Sequence, residues 1–168
     1  MARILMKTFK LPILWMAVPT LLLNAADSPF VGTWKVDLHK SKFAKGTPSY
    51  FDATVQIEAA GSNRLKSTGY GTDNEGLAGG LGFNCTLDGT PCPVVSSVPA
   101  RSASTVDTIT LKLVNDRSLT AVGTNHGKTV YTDQRIISTD GRMMTITRKG
   151  STADGKEYEN TIVLMRTQ

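Results

Sequence analysis

Beyond residue 27, apolar and polar residues alternate with a period of two along most of the chain. Trp34, Val36 and Leu38 alternate with Thr33, Lys35 and Asp37. Phe51, Ala53, Val55 and Ile57 alternate with Asp52, Thr54, Gln56 and Glu58. Successive side chains of a strand point to opposite faces, so this period predicts half-buried strands. Turn residues cut the pattern at Ala60-Gly61-Ser62-Asn63, Asp73-Asn74-Glu75-Gly76, Asp88-Gly89, Asn115-Asp116-Arg117, Asn125-His126-Gly127, Asp140-Gly141 and Asp154-Gly155. Asp-Gly between alternating runs is a hairpin signal, because the primed turns need positive φ. The pattern predicts about ten strands, with one longer irregular stretch at 96–104. The segment 40–48, broken by Gly46 and Pro48, is too short for more than a helical turn. Consecutive hairpins without helical crossovers make an antiparallel up-and-down meander. Closing it into a barrel removes its edges. The expected fold is therefore all-β, a closed ten-strand barrel.

The turns also predict register. A two-residue turn at Asp140-Gly141 sets Ile137 opposite Met144, Arg135 opposite Ile146 and Asp133 opposite Arg148. Cross-strand partners share a face. Ile137, Met144 and Ile146 are apolar, so that face points inward and carries Tyr131, Asp133, Arg135 and Arg148 with it. Two readings follow: Asp133 and Arg148 form a satisfied pair near a barrel rim, or the polar residues line a cavity. Two arginines against one aspartate leave room for an anion, since a buried charge needs a partner or a ligand. The same arithmetic about Asp88-Gly89 sets Cys85 opposite Cys92, within disulfide range. Two cysteines without a nearby histidine make no metal site.

The first 26 residues differ in kind from the rest. Arg3, Lys7 and Lys10 precede an uncharged, mostly apolar run from Leu11 to Leu23, and Asn24-Ala25-Ala26 supplies small residues for cleavage. This is the order of a secretory signal, with a mature start at Asp27. As a helix the run spans about 20 Å, short of a hydrocarbon core of roughly 30 Å. Stable membrane insertion is therefore not expected. The reading makes residues 27–168 a single exported domain, periplasmic or secreted, in which a disulfide can form. The formal charge of +5 shrinks to +2 without the signal, which holds three of the 19 basic and none of the 14 acidic residues. No basic run with interleaved aromatics remains, so nucleic acid is not an expected partner.

Phe30-Val31-Gly32-Thr33-Trp34-Lys35 resembles the opening of the intracellular fatty-acid-binding proteins, and Gly-x-Trp resembles that of lipocalins and avidins. All are calycin-like up-and-down barrels. The opening Gly-Thr-Trp-Lys-Val-Asp-Leu-His-Lys-Ser-Lys-Phe and the closing Asp-Gly-Arg-Met-Met-Thr-Ile-Thr-Arg-Lys-Gly resemble a group of uncharacterised exported bacterial proteins described as lipocalin-like. The resemblance implies a barrel in which Gly32 admits close backbone approach and Trp34 plugs one end. It also implies a late basic side chain on that tryptophan, either Arg166 or Arg148. Two departures stand out. Val163 and Met165 occupy the positions where fatty-acid-binding proteins carry a lipid-holding Arg-x-Tyr. About a dozen residues separate Leu38 from Phe51, where that family has a two-helix lid.

No catalytic constellation emerges. His39 follows the first strand, His126 sits in a turn, and there is no Gly-x-Ser-x-Gly elbow, phosphate loop or metal-binding histidine pair. The glycine-rich 76–82 stretch reads as a bulged strand, since no helix follows it. No catalytic residue, cofactor or metal is assigned. The first functional expectation is a small apolar or amphipathic ligand in the barrel, with Tyr131, Asp133, Arg135, Ile137, Met144, Ile146 and Arg148 on its wall. The alternatives are a structural or protein-interaction domain of the cell envelope with a filled core, and an enzyme on a calycin-like barrel.

Overall fold

The computed structural model describes residues 28–47, 50–73, 76, 78–96, 106–152 and 154–167. The expected signal at 1–26, the start at Asp27 and most of the 96–104 stretch lie outside the described residues. Ten strands follow one another: β1 (Gly32–Val36), β2 (Tyr50–Ala59), β3 (Arg64–Asp73), β4 (Ala78–Thr86), β5 (Asp88–Ser96), β6 (Thr108–Asn115), β7 (Ser118–Asn125), β8 (Lys128–Ile137), β9 (Met143–Ser151) and β10 (Glu157–Arg166). Each pairs antiparallel with its neighbours in sequence, and β10 pairs with β1 to close the barrel.

The turns set the registers as expected. Ile137 faces Met144, Arg135 faces Ile146 and Asp133 faces Arg148 about Asp140-Gly141. Gly141 takes a φ of +71°, and Asp140 accepts from the Arg142 amide at 3.1 Å. His126 and Gly127 both adopt positive φ, +47° and +77°, which a type I′ hairpin requires. The connection around Asp154-Gly155 is longer than two residues, with Ser151 paired to Glu157. Cys85 and Cys92 are disulfide-bonded, with Cα atoms 5.5 Å apart.

β1 stops at Val36, short of the alternation that runs on to Leu38. The Asp37 side chain accepts from the amides of His39 and Lys40, and its carbonyl takes Ser41 N–H and O–H. These bonds turn the chain and leave Leu38 exposed. Residues 41–47 then lie against β10. Lys42 bridges to Thr161, and Asn160 accepts from the Ala44 amide at 2.8 Å and bonds Thr47 Oγ1 at 3.0 Å.

The end bearing the turns 60–63, 116–117 and 138–142 is sealed. Gly32 enters β1 at a φ of +143°, a conformation that excludes most side chains. Trp34 is fully buried and donates from Nε1 to the Phe30 carbonyl at 3.0 Å. Arg166 lies over the indole with its guanidinium carbon 4.3 Å from the ring centroid. Its N–H groups reach the carbonyls of Gly141 (2.7 Å), Val31 (2.5 Å) and Pro29 (2.6 Å). Of the two candidates, Arg166 is the cation on Trp34. Arg148 lies over Tyr131 instead.

Candidate functional site

Strands β8 and β9 build an inward wall from Tyr131, Asp133, Arg135, Ile137, Met144, Ile146 and Arg148. The hairpin register brings these seven onto one face. Ile137, Met144 and Ile146 join the core, and Tyr131, Asp133 and Arg135 are also buried. Val163 and Met165 are not on this surface. The inward positions of β10 are Ile162 and Leu164, so the two residues aligned with the Arg-x-Tyr positions face outward. Val163 is covered there by the 37–41 turn.

Asp133 is the centre of the polar part. Its side chain is wholly enclosed, between two arginines. Arg148 donates from Nε to one carboxylate oxygen at 2.8 Å and from Nη2 to the other at 2.9 Å. Arg135 adds a single bond from Nη2, at 2.9 Å. Burial pushes the Asp133 carboxyl up, because it penalises the charged form. The charges and hydrogen bonds of Arg148 and Arg135 outweigh that, and the net direction is down. The carboxylate is ionised at neutral pH, and the three groups together carry one excess positive charge.

Arg148 is held by a second contact. Its guanidinium carbon stands 3.8 Å from the Tyr131 ring centroid. That ring also packs closely on a glycine of β7. A Cβ built at Gly123, directly across from Tyr131, would stand 2.7 Å from the phenol ring and 2.9 Å from Val106. Gly150 serves Tyr158 in the same way, with a would-be Cβ 2.8 Å from Cζ. Tyr158, Asn160 and the two glycines complete this polar wall. Single-residue inspection passed over them because their roles come from the β7–β8 and β9–β10 registers.

Arg135 faces more apolar surroundings. Together with Phe30, Ile57, Leu65, Ser67, Phe83, Leu111 and Leu119 it borders an internal cavity of about 10 Å³. That is room for about one water-sized sphere. Its Nε–H is shielded from solvent and has no acceptor. A larger hollow, about 420 Å³, lies on the outside of the barrel, where Thr54, Tyr70 and Thr72 of β2 and β3 face out.

Burial inside the barrel is graded. Toward the sealed end, inward residues such as Ile57, Leu65, Leu111 and Leu119 are buried. Toward the opposite end of β2–β5, the inward residues Ala53, Val55, Leu81 and Val94 pack on the core yet are only half-buried. Gly69 and Gly71, also inward, add no side chain to that region. His39 and His126, the two histidines, are both exposed.

No family model matches this chain, and neither does any curated protein. Among solved structures, the barrel is similar to that of Rv2717c from M. tuberculosis. The two share 15% identity at a TM-score of 0.54, over 84% of this chain and 94% of that one. A likeness at this identity shows the fold alone, a closed antiparallel β-barrel. Two redesigned β-barrels also match, at lower TM-scores. They are mFAP1 bound to DFHBI (0.44; 13% identity; 85% of this chain, 100% of that) and b11L5F_LGL (0.43; 14%; 87% and 98%).

Proposed function

We propose that the protein is an exported binding barrel for a small amphipathic molecule with an acidic head. In this reading it resembles the lipocalin-like exported proteins in its opening and closing motifs. The observation that carries it is the placing of two inward arginines, Arg135 and Arg148, against the single Asp133 beside an apolar core. The half-buried Ala53, Val55, Leu81 and Val94 support an apolar portion of the ligand lying toward the unsealed end. Arg135 and Arg148 are the groups that would meet the head through charge-assisted hydrogen bonds.

A fluorescent apolar probe bearing a sulfonate or carboxylate is expected to bind with a one-to-one endpoint. Arg135→Ala should weaken it by about 1.5–3 kcal/mol. An uncharged probe of the same shape should bind less well and ignore the substitution. Equal binding of both probes to both proteins would refute the role given to the arginine. The cavity of only about 10 Å³ beside Arg135 favours a second reading, a structural domain with a filled core. In that case no probe binds at all, and native mass spectrometry of protein purified from its host finds no co-purified ligand.

Export rests on the Arg3–Ala26 pattern. N-terminal sequencing of protein recovered outside the cytoplasm should begin at Asp27. Recovery of an intact Met1 there would count against it.

A further inference from the structure

β5 carries two prolines, Pro91 and Pro93, although the closed barrel gives it a neighbour on either side. Proline has no N–H to give a ladder and is ordinarily confined to outermost strands or bulges. The amides of a strand point alternately to its two neighbours. Val94 donates to the Asp107 carbonyl, on the β6 side, at 2.9 Å. The nitrogens of Pro91 and Pro93 are therefore directed at β4. The ladder shows the loss. β4 and β5 pair at Leu81–Ser96, Gly82–Val95 and Phe83–Val94, and the pairing stops where the prolines begin. By the same register Asn84 stands across from Pro93, and Cys85 from Cys92. The Asn84 carbonyl takes a hydrogen bond from Arg64 Nη1, at 3.3 Å, in place of one from Pro93. The outer sides of the two strands stay paired. β4 runs beside β3 from Arg64–Thr86 to Thr72–Ala78, and β5 meets β6 at Asp88, Pro91, Cys92 and Pro93. Across the proline stretch, the disulfide holds β4 to β5, with the Cα atoms 5.5 Å apart.

We infer that Cys85–Cys92 is a redox-sensitive tie across a seam weakened by proline, and that its reduction opens the barrel wall locally between β4 and β5. A dithiol supplies the chemistry. Its thiolate attacks one sulfur, the Cys85–Cys92 bond breaks, and a mixed disulfide forms. The second thiol of the reductant then displaces the protein sulfur. The dithiol leaves as a disulfide, and two electrons and two protons pass to Cys85 and Cys92. Both cysteines lie in the core, so the attack proceeds through brief openings of the same seam. Once the bond is broken, Pro91 and Pro93 offer no N–H to draw the strands back together. No residue of the Asp133 cluster takes part, so the inference goes beyond the ligand reading and does not depend on it.

Amide hydrogen exchange of the unmutated protein, followed by mass spectrometry with and without dithiothreitol, tests it. Peptides covering residues 83–94 should exchange roughly tenfold faster or more after reduction. Peptides from β8, β9 and β10 should keep their rates. A uniform acceleration along the chain, or none, overturns the inference. So does a disulfide that resists the dithiol until the whole barrel unfolds. Pro93→Val separates the proline from the disulfide, because it returns an N–H opposite the Asn84 carbonyl. In that variant the reduced seam should exchange more slowly than in the reduced unmutated protein. Equal rates in the two would mean that proline is not what weakens the seam, and would overturn the inference.

Discussion

Asp133→Asn is expected to destabilise the protein by about 3–5 kcal/mol, because it leaves a buried and a half-buried guanidinium group without their shared carboxylate. Arg135→Met should cost far less, since Arg148 alone bonds both Asp133 oxygens and the remaining pair is neutral. Urea unfolding of the three proteins at pH 7 gives the comparison. If Asp133→Asn proves no more harmful than Arg135→Met, the carboxylate is not the keystone of the cluster. The pH dependence has a definite sign. The folded-state pKa of Asp133 lies below its ordinary value, so its contribution is fully present above about pH 4. It is lost as pH falls from there through the folded pKa. Asp133→Asn should therefore flatten the acid limb of the stability profile and leave its neutral plateau low.

Trp34→Ala should cost a similar amount, about 3–5 kcal/mol, through the cavity left by a fully buried indole. The loss is not confined to one side chain. The indole N–H holds the Phe30 carbonyl, and the ring is the platform for Arg166, which ties down Pro29, Val31 and Gly141. Trp34 is the tryptophan of the described barrel, so the transition is best followed by far-ultraviolet circular dichroism. A loss below about 1 kcal/mol would mean that residues 28–31 seal the end without it.

Much of this was legible in the sequence, because a period of two and a tight turn together determine which side chains meet. The Asp140-Gly141 turn was sufficient to pair Asp133 with Arg148, and Asp88-Gly89 to pair Cys85 with Cys92. The choice between Arg166 and Arg148 on Trp34 was not legible. It follows from closure of β10 on β1, which sets Arg166 across from Trp34 at a separation no local pattern reports. The clamping of Tyr131 by Gly123 and of Tyr158 by Gly150 was hidden too, since glycine in a strand reads as weakness until its cross-strand neighbour is known. Leu38 misled for a local reason: Asp37 ends the strand with its own side chain. How much space the interior keeps depends on the rotamers and tilt of all ten strands together, and alternation carries no measure of volume.

The seam between β1 and β10 bears on how the molecule comes into being. Trp34 meets Arg166, and Val36 meets Leu164, across nearly the whole length of the chain. Without β10 the other nine strands would leave two raw edges, and the indole of Trp34 would lack its cation. Pairings this distant in sequence form late and slowly, and open edges persist until they do. The final dozen residues therefore act as a latch. Once they dock, the same ladder that completes the wall also locks its end.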